Sequence, residues 1–275
     1  MVVILAAGIG SRFGTSEISK CAVPLPLSSY GKETPVTRLV RQFSERGQKR
    51  FTVIVGYNCS SVIKALSVFE DKGLDIRFIY NSYYKTKGCS YSVQKSFNVV
   101  GECLKLGEPL YIVEGDSVYG DSVIDSIVKF NYTCVAARSG SFITTRSVGI
   151  ELIKNSDQVR NFFYDSKHQI NYENLDKTNV RESMQIWKFL SLNDLFSSFE
   201  RYEHLTNNIE TKEFISQTSG VFQINDALDY GLSMRVMDVS QRKESPDSDC
   251  QWVNINTKED LESLKELTWF AGGSF

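Results

Sequence analysis

The stretch Val2-Val3-Ile4-Leu5-Ala6-Ala7-Gly8-Ile9-Gly10-Ser11-Arg12-Phe13-Gly14, followed by Lys20 and Pro24, decides how the rest of the chain is read. Four apolar residues of strand type run straight into small residues and glycine. A buried strand that ends in a glycine-rich turn exposes several backbone N–H groups at one point, and such a point cradles phosphate oxygens. Arg12 and Lys20 add positive charge within reach of the same turn. A dinucleotide-binding turn is the rival reading, because Gly8, Gly10 and Gly14 come near the pattern G-x-G-x-x-G. That pattern needs a second strand closing on an acidic residue about 20 positions further on. Residues 24–35, PLPLSSYGKETP, are loop-like instead, and the next convincing strand begins only at Phe51. Neither this reading nor a purely structural glycine turn accounts for Lys20 and Pro24.

The chain has 275 residues, 41% hydrophobic and 23% charged, enough for one large core or one core with a small lobe. A net charge of −2 and the lack of any Lys/Arg-rich block give no reason to expect a nucleic-acid partner. The start reads as a buried strand rather than a signal peptide, and no apolar run approaches the ~20 residues that span a bilayer. A cytoplasmic protein without membrane insertion is expected. The six cysteines lack C-x-x-C spacing, so reduced thiols are expected rather than a zinc site or a disulfide framework. His168 and His204 are the only histidines and both lie in polar contexts. Hydrolase chemistry built on a histidine base finds little support.

Strand and helix patterns alternate through the first half. Strands are expected at 2–7, 51–55, 75–80 and 109–114, each apolar enough for burial on both faces, with helices at about 36–47 and 59–70. Such alternation implies βαβ units and a mainly parallel α/β sheet, with ligands beyond the carboxyl ends of its strands. Later, 132–152 suggests two strands around the loop SGSFITTRS, and 183–189 a strand followed by a helix to about 202. Short strands are expected near 233–239 and 250–255, then a closing helix over 257–268 with Thr257 as N-cap. The segment 154–182 is polar and mixed. One domain, 1–275, is expected: a core over about 1–140 and 233–275, with a lobe inserted over about 141–232.

Residues Leu5, Ala6, Ala7, Gly8, Gly10, Ser11 and Arg12, with Lys20 and Pro24, closely resemble the signature L-A-A-G-x-G-[ST]-R…K-x-x-x-P of the nucleotidyltransferases that make nucleotide-activated sugars and alcohols. The spacing from Arg12 to Lys20 is shorter and less proline-rich than in many of them. The resemblance implies a Rossmann-like fold with an acceptor-binding lobe. It implies that the glycine turn wraps an NTP, that Lys20 meets the α-phosphate and that Arg12 holds the leaving phosphates. The segment IYNSYYKTKGCSYSV (79–93) resembles that of cytidylyltransferases that activate phosphocholine and related phospho-alcohols, with matches at Asn81, Tyr84, Tyr91 and Ser92 and a departure at about Gly88. Sugar-1-phosphate enzymes usually carry a G-T-A-type segment here, which is absent. The resemblance therefore favours CTP and a phosphorylated or phosphonate small-molecule acceptor, as in cell-surface glycan or phosphonate biosynthesis. A sugar-1-phosphate enzyme and a catalytically inactive NTP-binding protein remain alternatives.

Two places attract a metal ion. Asp116 follows the apolar strand of PLYIVEGDS, where it either meets a cation or caps the turn beyond. In the resembling family an Asp here binds Mg²⁺ with the α-phosphate, and magnesium takes one or two protein oxygens plus phosphates and water. Glu114 is the next carboxylate, and Asp121 reads as a helix cap. In WVNINTKEDL (252–261), Asn256 stands where family members carry the second ligand, an Asp. Asn254 shares its strand face. Mg²⁺ on Asp116 and Asn256 is the expectation. Trp187, Phe189, Phe196 and Phe199 read as core, and Lys188 as either solvated or a contact for an acceptor phosphate.

Overall fold

The computed structural model describes residues 1–14, 17–26, 32–86, 89–96, 99–101, 108–140, 143–144, 147–164, 176–190, 233–239 and 251–271. Its elements run β1 (Val2–Ala6), α1 (Pro35–Glu45), β2 (Arg50–Val55), α2 (Cys59–Leu66), β3 (Asp75–Tyr80), α3 (Cys89–Lys95), β4 (Leu110–Glu114), β5 (Ser117–Tyr119), α4 (Asp121–Lys129), β6 (Cys134–Ser139), β7 (Gly149–Leu152), β8 (Val159–Phe163), β9 (Val180–Phe189), β10 (Arg235–Asp238), β11 (Trp252–Asn254), α5 (Lys258–Ser263) and α6 (Thr268–Ala271). Among the described residues no helix is long and apolar enough to cross a membrane.

The main sheet has the strand order β10-β6-β9-β4-β1-β2-β3, with β7 added to β9 and β8 to β7. Strands β4, β1, β2 and β3 are parallel neighbours. The long β9 runs antiparallel between β4 and β6, and β10 lies parallel to β6. The sheet is mostly parallel α/β, as the alternation of patterns implies. β1 is buried on both faces because its alternate residues feed two different cores. Val3 and Leu5 pack with Ile54, Ile112 and Trp187 on one side. Val2, Ile4 and Ala6 pack with Val53, Tyr111 and Ile186, under α1 and α2, on the other.

Helix starts follow local chemistry. Thr34 caps α1 in a reciprocal capping box with Thr37, and Pro35 occupies the first turn, where its missing N–H costs nothing. Thr257 caps α5 in the same way with Asp260, as its sequence context predicts. Asp121 does not cap α4. It sits inside the first turn after Gly120, where its carboxylate is 3.3 Å from Arg46 Nη2 and accepts a hydrogen bond from Gln42 at 3.3 Å.

Three further expectations need correction. β3 is the edge strand of the sheet and is not buried on both faces: Phe78 is 38% and Tyr80 55% exposed. β9 begins three residues earlier than the pattern at 183–189, and it threads the centre of the sheet although it falls within the stretch read as an inserted lobe. The strand β8 in the polar stretch 154–182 and the helix α3 have no counterpart among the sequence patterns, whereas α4 is signalled there by Asp121 alone. Trp187 and Phe189 are core. Phe196, Phe199, His168 and His204 lie outside the described residues.

Lys188 is neither solvated nor near the ligand edge. It is 3% exposed, and its ammonium donates to the carbonyls of Ile127, Val128 and Phe130 at 3.2, 2.8 and 2.6 Å. These oxygens end α4, where unsatisfied carbonyls and the helix dipole favour a cation. Burial pulls the Lys188 pKa below the ordinary lysine value, against an opposing effect of Cys134. Replacing it by Met keeps the length and orphans the carbonyls. Lys188→Met is expected to lower the unfolding free energy by about 2–3 kcal/mol, read from the urea midpoint. An unchanged midpoint would take the lysine out of the fold's support.

Candidate active site

Strand direction brings the predicted residues together. β1, β2, β3 and β4 are parallel, so the turn after β1, Asn81 after β3 and Asp116 after β4 all emerge on one edge. From β1 the chain builds first toward β2 and β3, then crosses to β4 on the other side. The crevice between the ends of β1 and β4 is therefore a topological switch point, where open α/β sheets hold their ligands.

The turn leaves β1 through Ala7 into the exposed Gly8, Ile9, Ser11 and Arg12. Gly10 has a left-handed backbone, φ 65°, and a β-carbon on it would stand 3.0 Å from Lys20 Cδ. Two requirements thus coincide at one residue: positive φ, and room for the lysine stem. Lys20 opens a short 3₁₀ turn whose N-cap, the fully buried Ser19, accepts from the Cys21 amide. Beyond β4, Gly115 lies so close to β1 that a β-carbon would meet Leu5 O at 2.9 Å, and its amide donates to that same oxygen.

The second half of the site arrives from the far end of the sequence. β11 pairs antiparallel with β5, which sets Asn254 opposite Ser117, and the Ile255 amide donates to Asp116 O at 2.9 Å. Phe13, Val23 and Leu25 pack with Val118, Ile255, Leu264 and Phe270, so the segment following the glycine turn rests on the C-terminal helices. Asn256 Oδ1 then accepts from Arg12 Nη2 at 3.0 Å and from Lys20 Nζ at 3.4 Å. The Lys20 ammonium is also ion-paired with Asp116 Oδ2. Burial alone would lower the Lys20 pKa, but the charge and hydrogen bond of Asp116 outweigh it and hold it above the ordinary lysine value. Arg12, Lys20, Asp116 and Asn256, chosen from sequence, form one connected group.

Asp116 Oδ1 is buried and has no hydrogen-bond partner among the described residues. An orphaned carboxylate oxygen costs free energy unless something takes its lone pairs, and a hard cation is such a partner, so the donor set suits Mg²⁺. Among the described residues no group of three or more His, Cys, Asp or Glu is placed to hold a metal ion. Asn254 differs from Asn256: its Nδ2 donates to Gln185 Oε1 at 2.5 Å, while its Oδ1 is buried without a hydrogen-bond partner among the described residues. Gln185 has φ 58° at an irregular stretch of β9. Such bulges re-aim side chains beside functional sites.

A cavity of about 190 Å³ adjoins the turn, walled by Leu5, Ala7 and Gly8, by Asn81, Tyr84 and Ser92, and by Glu114 with Cys89. Asn81 and Ser92 both line it, and they also hold each other: Asn81 Nδ2 donates to Ser92 Oγ at 3.0 Å, and its Oδ1 accepts from the Tyr83 amide at 2.9 Å. Glu114, considered from sequence only as a reserve metal ligand, lines this cavity instead. Burial and then the Asp116 charge push its pKa up to about 7, against the Cys89 hydrogen bond and the Lys20 charge. A larger cavity of about 640 Å³ lies near β10. None of the predicted site residues lines it, and its charges are paired, Arg181 with Asp238 at 2.5 Å and Arg235 with Asp157 at 3.3 Å.

Gly10→Ala is expected to cost about 1–2 kcal/mol of stability for the left-handed backbone alone. Gly8→Ala, whose β-carbon would meet nothing within 4 Å, should stay within about 0.5 kcal/mol. Thermal unfolding of the two variants checks the contrast, and equal losses would remove the special role of Gly10.

Solved structures share this architecture along nearly the whole chain. An inositol-1-phosphate CTP transferase from T. maritima superposes with a TM-score of 0.66 at 17% identity, covering 98% of this chain and 94% of that one. The CTP:phosphocholine cytidylyltransferase of Streptococcus pneumoniae gives 0.67 at 14%, covering 96% and 97%. A nucleoside-diphosphate-sugar pyrophosphorylase from Vibrio cholerae gives 0.62 at 13%, covering 96% and 98%. At such identities the likeness establishes a common fold, that of the nucleotidyltransferases. No curated protein matches at the level of sequence. A family model described as "Domain of unknown function (DUF6564)" matches residues 27–268, and the chain belongs to that family.

Proposed function

We propose that this protein transfers a nucleoside monophosphate, CMP ahead of others, from an NTP to a phosphorylated or phosphonate small molecule, releasing pyrophosphate. The observation that carries the proposal is the convergence of Arg12, Lys20, Asp116 and Asn256 beside the glycine turn, at the switch point of the sheet. The preference for CTP and a phospho-alcohol rests on the segment around Asn81, Tyr84, Tyr91 and Ser92. Shared fold with both phospho-alcohol and sugar enzymes keeps a sugar-1-phosphate acceptor as the second reading.

In this mechanism an acceptor phosphate oxygen attacks the α-phosphorus in line with the departing pyrophosphate. A phosphomonoester is largely dianionic near neutrality, with a second pKa of about 6, so the nucleophile needs no general base. The protein's work is positioning and charge neutralisation. Lys20 exchanges its Asp116 partner for α-phosphate oxygens and offsets charge that builds in the transition state. Arg12, on the exposed rim of the turn, holds the leaving phosphates together with the amides of residues 8–11. Asp116 and Asn256 are the side chains that would hold Mg²⁺, which when bound supplies Lewis-acid polarisation of the α-phosphate.

Pyrophosphate release is the direct assay. CTP, UTP, GTP, ATP and dTTP are each incubated with Mg²⁺ and a pool of phosphocholine, phosphonates, polyol phosphates and sugar-1-phosphates. Release that requires one nucleotide and one acceptor is expected, and no release with any pair would leave a binding protein. With the active pair in hand, Lys20→Ala should lower kcat by about 10²–10³, as for loss of one preorganised donor. A variant keeping more than a tenth of wild-type turnover would remove Lys20 from the mechanism.

A further inference from the structure

The cavity beside the glycine turn contains one carboxylate, Glu114, and its surroundings show what it is free to bind. It is the last residue of β4, in register with Leu5 of β1. The next amide, that of Gly115, is bonded to Leu5 O at 2.9 Å, so the backbone beneath the side chain is fixed on two strands. The Cys89 thiol, from the start of α3, donates to Glu114 Oε1 at 3.1 Å. Among the described residues the second carboxylate oxygen makes no hydrogen bond. Asn81 gives one amide hydrogen to Ser92, and its oxygen accepts from the Tyr83 backbone. The strongest uncommitted polar function in the wall is therefore an oriented hydrogen-bond acceptor.

We infer that Glu114 selects the nucleobase, accepting a hydrogen bond from the exocyclic amine of cytosine and rejecting uracil and thymine. This rests on the nucleotidyltransferase reading, in which the triphosphate occupies the turn and its nucleoside enters the cavity that shares Gly8 with that turn. An ionised carboxylate can only accept. Cytosine presents an N4 amine, a donor to which Glu and Asp side chains pair, whereas thymine presents its O4 carbonyl at the same position, as uracil does. Setting that carbonyl against the carboxylate forfeits the hydrogen bond and opposes two acceptors, so discrimination comes from repulsion as much as attraction. The thiol of Cys89 holds one carboxylate oxygen and leaves the other for the base.

Binding can be read without turnover. Dissociation constants for CTP, UTP and the triphosphate of 2-pyrimidinone ribonucleoside, which lacks the amine and adds no bulk, are measured by calorimetry at pH 8 with Mg²⁺ and no acceptor. The wild-type chain is expected to bind CTP at least tenfold more tightly than UTP or the 2-pyrimidinone analogue. Glu114→Gln, whose amide offers a donor as readily as an acceptor, should narrow the CTP-to-UTP ratio about ten- to hundredfold, the worth of one hydrogen bond to a charged group. Wild-type binding of UTP or the 2-pyrimidinone analogue as tight as that of CTP would overturn the inference, and this arm needs no variant to fold. An unchanged ratio in a folded Glu114→Gln protein would overturn it too, while leaving nucleotide binding and the proposed reaction standing. Failure of the wild-type chain to bind any NTP would overturn both readings together.

Discussion

The buried pair of Lys20 and Asp116 is the constraint around which the rest of the molecule is arranged. Their side chains are only 12% and 10% exposed. Two charges withdrawn so far from water are tolerated only when each satisfies the other, and stripping away either one is costly. The pair demands that the turn after β1 and the end of β4 stay in contact, and several features serve that demand. β1 and β4 are hydrogen-bonded neighbours, Gly115 lets them approach, Gly10 makes room for the lysine stem, and the buried Ser19 fixes the backbone from which Lys20 projects. Under the proposed function, phosphate oxygens would compete with the carboxylate for the ammonium and leave Asp116 free for a cation.

What the sequence makes legible is what a short window contains. The apolar run of β1, the glycine turn, the Thr257 cap and the carboxylate after β4 each depend on neighbours within a few positions, and the structure has them where the patterns put them. Motif resemblance picks out Arg12, Lys20, Asp116 and Asn256, and the structure joins them through contacts that no local window contains. What stayed hidden depends on distant partners. Lys188 reads as a polar residue in a strand until the end of α4 is placed beside it. β3 looks like any buried parallel strand until its position at the sheet edge is known. The place of β9 between β4 and β6 follows from a pairing that alternation alone does not specify.

The same limit applies at finer scale within the site. Asn254 and Asn256 are equivalent by the period of two, yet one answers to Gln185 and the other to Arg12 and Lys20. That division arises because Gln185 adopts a left-handed backbone in an irregular part of β9, something a glutamine in a strand pattern does not announce. Glu114 likewise reads only as the next carboxylate after Asp116. Its register with Leu5 turns it instead toward the cavity under α3.

Arg12 and Asn256 are 244 positions apart in the chain, and Lys20 and Asn256 are 236 apart. Contacts of such separation pay their loop-closure entropy before they return any stabilisation. The parallel core of β4, β1, β2 and β3 is complete by Glu114, so it has no need of β11 in order to pair. A chain that has collapsed around that core possesses the glycine turn, Lys20 and Asp116, but lacks both Asn256 and the apolar bed on which Phe13, Val23 and Leu25 rest. The docking of β11 on β5 is therefore the pairing that finishes the site.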